Sequence, residues 1–155
     1  MSSQPLTAIT NYLSISDRIG TAGQPAREQF ADIQAAGYQV VINLAVSAST
    51  QALPDERELV AGLGMDYVHI PVVWASPQPG DLDQFFAAMD RYQEHKVFVH
   101  CAMNMRVSAF VYLYRVIRQA EPPDAAWGDV LRIWEPDAVW RRFIDDALAR
   151  SGVHV

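Results

Sequence analysis

Three short runs of consecutive apolar residues, rich in β-branched side chains, punctuate the chain: QVVINLA at 39–45, DYVHIPV at 66–72 and KVFVHC at 96–101. Runs of this length with little polar alternation predict strands buried on both faces. Residues 12–15 and 18–21 predict two further short strands that lead into the turn AGQP. Between these runs the apolar period lengthens. AREQFADIQAAG (26–37) carries Phe30, Ile33 and Ala36 on one face, follows Pro25 and closes at Gly37, the marks of a helix. PDERELVAGLG (54–64) predicts a short helix with acidic residues in its first turn and glycine at its end. GDLDQFFAAMDRYQEH (80–95) predicts a third, with Leu82, Phe85, Phe86 and Met89 facing inward and Asp81 as its N-cap. After Asn104, MRVSAFVYLYRVIRQ runs mostly apolar without glycine or proline, which predicts a helix near the centre of the fold. DAAWGDVLRIW and DAVWRRFIDDALAR, separated by Pro136, predict two final helices.

Alternation of strands with helices argues for an α/β three-layer sandwich around a mostly parallel sheet. No repeat, low-complexity tract or linker interrupts the 155 residues, so one domain over 1–155 is expected, with the C-terminal helices at 124–150 part of it. Ligands of open α/β sheets sit at the carboxyl ends of the strands.

Composition narrows the function classes. The formal net charge of -6 argues against a nucleic-acid partner, which calls for the opposite sign. No apolar run approaches the roughly 20 residues that span a bilayer, so no membrane association is expected. The start MSSQPLTAITNYLS lacks the basic and apolar regions of a signal peptide, and a single cysteine excludes an internal disulfide; both fit a reduced, cytoplasmic setting. No His, Asp or Glu grouping has metal-ligand spacing, so no metal is expected, and the cysteine chemistry that the chain offers calls for no cofactor. His69 is expected as a core residue, His95 at a helix end and His154 in a loose tail. The sequence leaves the oligomeric state open.

The chemistry concentrates in VFVHCAMNMRVSAF, where the lone cysteine, Cys101, follows His100 at the end of a predicted strand and Arg106 opens a predicted helix. If the backbone curls there, the amides of Ala102, Met103, Asn104 and Met105 join the unpaired amides of the helix start. Such a cradle favours an anion and a thiolate, and Arg106 adds a planar fork suited to phosphate or sulfate oxygens. Asn104 is the best non-glycine residue for a left-handed position in so tight a loop. Trp74 is expected in the facing loop, where it could stack on an aryl group, and Met103 and Met105 could line the pocket mouth or pack beneath it.

The stretch resembles the signature loop of cysteine-dependent protein tyrosine and dual-specificity phosphatases, His-Cys-x5-Arg-Ser/Thr. LSISDRIGTAGQP, GYQVVINLA and GMDYVHIPV resemble the landmarks of small bacterial relatives, so the resemblance covers roughly residues 10–120. It implies a phosphatase that hydrolyses phosphate monoesters of the phosphotyrosine type through a cysteinyl-phosphate. Cys101 would be the nucleophile, Arg106 the phosphate clamp, Ser108 a hydroxyl donor to the sulfur, and His100 the residue that orders the loop from behind. Two features depart from the pattern. Arg106 follows Cys101 after four residues, a spacing that resembles the active loop of rhodanese sulfurtransferases and their cysteine persulfide. The loop facing the cysteine, VVWASPQPGDLD, offers no acid before Asp81, so Asp81, followed by Asp83, is the candidate general acid. A catalytically weak or inactive binder of phosphorylated partners therefore stands beside the phosphatase reading, as does sulfur transfer.

Overall fold

The computed structural model describes residues 5–49 and 51–153. At its centre lies a five-stranded sheet of β1 (Leu13–Ser14), β2 (Ile19–Ala22), β3 (Val40–Asn43), β4 (Asp66–His69) and β5 (Val97–His100), ordered β1-β2-β5-β3-β4. β1 runs antiparallel to β2, and the other pairings are parallel. The helices are α1 (Gln29–Ala35), α2 (Glu56–Gly62), α3 (Pro79–Arg91), α4 (Met105–Leu113), α5 (Pro123–Leu131) and α6 (Ala138–Arg150). A π-helical turn, Tyr114–Arg118, prolongs α4.

Side chains of successive strand residues point to opposite faces. Val40, Ile42, Val97 and Val99 therefore enter one core with Leu82, Phe85 and Met89 of α3, nearly all of α4, and the inner faces of α5 and α6. Val41 and Phe98 enter the other with Phe30 and Ile33 of α1 and Val60 of α2. This is the layered, mostly parallel α/β arrangement that the alternation predicts. Because β3 and β5 are covered on both faces, their runs need no polar residue until the strand ends.

Several boundaries differ from the sequence expectation, three of them for reasons visible in the hydrogen bonding. α1 starts at Gln29 because the Gln29 side-chain oxygen accepts the Ala26 amide at 2.7 Å, which holds 26–28 as a turn. β4 stops at His69, although the Ile70 and Val72 amides still donate to the Asn43 and Leu44 carbonyls on either side of Pro71, which has no N–H to give. α3 starts at Pro79, so Asp81 is its third residue and not its N-cap; its Oδ2 accepts the Gln78 amide at 3.0 Å. The first four residues and His154 lie outside the described residues. Among the described residues no helix is long and apolar enough to cross a membrane.

Phe85 is fully buried and meets Phe110 edge-on at 5.7 Å and Tyr114 at 6.3 Å, so it joins α3 to α4. Phe85→Ala is expected to destabilise the protein by about 3–5 kcal/mol. A urea titration checks this, and a loss too small to shift the midpoint would contradict the role given to this contact.

Candidate active site

β5 lies between β2 and β3, so its carboxyl end delivers His100 and Cys101 to the middle of the sheet edge. The chain then turns sharply into α4. Asn104 makes that turn in the left-handed region, φ 66° and ψ 2°, and is fully buried. A non-glycine residue held there costs energy unless its surroundings fix it. Here the Asn104 amide nitrogen donates to the Asn11 carbonyl at 2.8 Å and to Thr21 Oγ1 at 3.1 Å. The other side of the loop is tied to the segment after β2, where the Gln24 amide donates to the Ala102 carbonyl at 2.9 Å. Gly23 permits that approach, since a Cβ at this position would stand 2.5 Å from the Ala102 oxygen. Among the described residues the amides of Ala102 and Met103 donate to no other group. The amide of Met105, as the first residue of α4, has no acceptor within its own helix.

Arg106 is buried at the start of α4. Its Nη1 donates to the Val72 carbonyl at 2.9 Å and its Nη2 to Ser49 Oγ at 3.4 Å. The guanidinium is thus held by the loops after β3 and β4, and among the described residues no carboxylate pairs with it. A buried cation without a counter-charge is unfavourable, and an anion beside it relieves that cost. Arg106, Cys101, Ala102, Met103, Met105 and Trp74 line one cavity of about 190 Å³. Cys101 has no exposed surface and sits at its buried end. Trp74, 40% exposed, and Met103, 47% exposed, flank its mouth. Trp74 is a fixed wall: its ring lies 5.3 Å from Trp134 and 5.6 Å from Trp140, and its carbonyl accepts the Trp140 indole N–H at 3.0 Å.

Behind the loop, His100 is fully buried. Its Nδ1 lies 3.2 Å from the Cys101 carbonyl and its Nε2 2.7 Å from Glu56 Oε2. The other Glu56 oxygen accepts Gln24 Nε2 at 2.9 Å. Burial works against the Glu56 carboxylate, yet the hydrogen bond and charge of His100, with donors from Gln24 and Tyr67, hold it below its ordinary range.

Two sequence candidates find different work. Ser108, expected to serve the sulfur, donates its single hydroxyl proton to the Met105 carbonyl at 2.6 Å and accepts the Trp134 indole N–H at 2.9 Å. That proton cannot also reach Cys101. Asp81 is held at the start of α3 and does not line the cavity, and neither does Asp83. His69, half-buried, sits 2.6 Å from the Ala45 carbonyl through Nε2. The sequence reading missed Glu56, treating it as first-turn helix charge. Its helical phase carries the signal: Glu56 stands four residues before Val60, which is fully buried, so both share the inward face of α2.

A family model, PTP-NADK, described as a DSP-PTPase phosphatase fused to NAD+ kinase, matches residues 12–135. Among solved structures, a candidate phosphatase (DUF442) from Shewanella putrefaciens is 36% identical over 96% of this chain and 97% of its own, with a TM-score of 0.87. The core catalytic domain of the PP-IP phosphatase SIW14 from S. cerevisiae, in complex with citrate, is 14% identical over 93% of this chain and 87% of its own. Its TM-score is 0.74, and at that identity the likeness is one of fold alone. A beta-lactamase hydrolase-like protein from Xylella fastidiosa is 28% identical over 108 residues, 68% of this chain. This chain spans about a quarter of the length of that relative, 25%.

The buried carboxylate also sets a pH dependence. Because the native Glu56 carboxyl is held below its ordinary value of 4.5, the native state binds fewer protons there than the unfolded chain does. Its contribution is therefore complete above about pH 4.5 and is lost as pH falls through the native value. Glu56→Gln is expected to lower stability at pH 7 by on the order of 3 kcal/mol and to flatten the acid limb of the stability curve. Urea midpoints between pH 3 and pH 7 measure both, and an unchanged acid limb would contradict the assignment.

Proposed function

This chain belongs to the DSP-PTPase family of cysteine-dependent phosphatases, and we propose that it hydrolyses phosphate monoesters of the phosphotyrosine type through a cysteinyl-phosphate. The observation that carries the reading is that Cys101 and a buried Arg106, with no carboxylate partner among the described residues, line the same cavity at the start of α4. In this reading the amides from Ala102 to Met105 and the Arg106 fork receive the phosphoryl oxygens, and the α4 dipole favours their charge. Cys101 Sγ attacks phosphorus and the P–O bond to the leaving group breaks, its electron pair departing on the leaving oxygen. Water then attacks the phosphocysteine, the P–S bond breaks back to the thiolate, and inorganic phosphate leaves. His100 supports the loop from behind.

The apolar rim of Trp74, Met103 and Met105 supports an aromatic leaving group over a sugar or a polyanion. So does the engagement of Asp81 in the start of α3, since general acid catalysis is typically worth about 10²–10⁴-fold and phenolates need it least. We propose a single domain for the described residues, acting in a reduced compartment that keeps Cys101 a free thiol.

Release of phosphate from p-nitrophenyl phosphate tests this directly. Cys101→Ser is expected to abolish turnover while the folded variant still binds phosphate by calorimetry, and Arg106→Ala to abolish both. An alkyl phosphate of similar size is expected to react at least 10²-fold more slowly than the aryl ester. Wild-type turnover by Cys101→Ser would overturn the proposal. So would thiocyanate formation from thiosulfate and cyanide by a protein that releases no phosphate.

A further inference from the structure

Hydrogen-bond chemistry decides the protonation of His100. A neutral imidazole carries one N–H and one lone pair, so it needs one acceptor and one donor. His100 meets two acceptors: the Cys101 carbonyl at Nδ1 and the Glu56 carboxylate at Nε2. A carbonyl has no proton to offer. With Glu56 held as the carboxylate, the ring satisfies both contacts only with a hydrogen on each nitrogen, as an imidazolium. Glu56 accepts Gln24 Nε2 on its other oxygen at 2.9 Å, and although burial opposes it, its hydrogen-bonding surroundings hold the carboxyl below its ordinary range, so it stands as the carboxylate. The remaining surroundings agree. Phe30 of α1 meets the ring edge-on at 6.0 Å and offers no acceptor. The ionisable groups around the pair are Cys101, next along the chain, and Tyr67 of β4, whose phenol is pushed up by burial and by the Glu56 charge. Arg57 stands over the Tyr67 ring at 5.0 Å.

We propose that Glu56 is a positioning residue for the Cys101 loop: it holds His100 doubly protonated, and this buried imidazolium both anchors the Cys101 carbonyl and lends positive charge to the thiolate. The proposal rests on Cys101 as the nucleophile, and it assigns to α2 a part in the site that neither the Cys101–Arg106 spacing nor the cavity lining discloses. The device is compact. Gln24 fastens the same assembly twice, with its side chain on Glu56 and its backbone amide on the Ala102 carbonyl. A change at Glu56 therefore reaches the sulfur through one imidazole, across the back of the loop and away from the cavity that receives the substrate.

The full chain, labelled with 15N at histidine, tests the first half. Long-range proton–nitrogen spectra at pH 6, 7 and 8, assigned with His100→Asn, are expected to show both His100 ring nitrogens protonated throughout. A deprotonated ring nitrogen at pH 7 would overturn the proposal whether or not any variant folds. The second half is read from the rate at which iodoacetamide alkylates Cys101 between pH 5 and pH 9. Glu56→Gln, checked for folding by circular dichroism, is expected to slow alkylation at pH 6 on the order of tenfold and to move the profile toward alkali. A profile superimposable on that of the wild type would overturn the role given to Glu56. Neither measurement needs turnover, so a protein that releases no phosphate would fail the functional reading while leaving this one to be judged on its own data.

Discussion

The polar side chains at the turn from β5 into α4 are buried, and most of the surrounding polar architecture answers to that fact. A strand bonded on both sides and a helix buried along nearly its whole length take the side chains of His100, Asn104 and Arg106 out of solvent, while Met103 reaches it. Yet that segment holds an imidazole, an asparagine amide, a guanidinium and the amides of a helix start. Buried polar groups are tolerable only with partners. The fold supplies them from distant parts of the chain: Glu56 for His100, Asn11 and Thr21 for Asn104, and the Val72 carbonyl and Ser49 for Arg106. Among the described residues Asn104 Oδ1 keeps no partner and Arg106 no counter-charge, and the second is the chemical opening for an anion.

A second set of contacts couples the far C-terminal part of the chain to the same place. The loop after β4 would be a free connection if it were held by its own residues alone. Instead Trp74 packs against Trp134, which follows α5, and against Trp140 of α6, which also donates to its carbonyl. Trp134 spends its own indole N–H on Ser108 of α4. Three tryptophans and one serine thus join the rim of the cavity, the helix below it and the two final helices. The Ser108 hydroxyl, two residues beyond Arg106, is thereby engaged by the scaffold.

Much of the fold is legible in the chain because burial on both faces writes itself as uninterrupted apolar runs. β3 and β5 and the apolar length of α4 could be read from local pattern, and so could the placement of Cys101 and Arg106 at a strand-to-helix junction. Asn104 could be anticipated as left-handed, since few residue types tolerate such a turn. Shorter-range competition defeated the boundaries: Gln29 capturing the Ala26 amide delays α1, and Pro79 moves Asp81 from the cap to the third position of α3.

What the sequence by itself determined is the layered α/β order, the cysteine and arginine at the carboxyl edge of the sheet, and the absence of an acid between β4 and Asp81. These are properties of neighbours along the chain, set by periodicity and by backbone preference. What only the tertiary structure decided is which polar side chains share a desolvated space. His100 and Glu56 lie 44 residues apart, and Trp74 and Trp140 lie 66 apart. Nothing local distinguishes Glu56 as a charge except its phase on α2, because the cost of burying it and the imidazole that offsets that cost arise only once β5 and α2 meet.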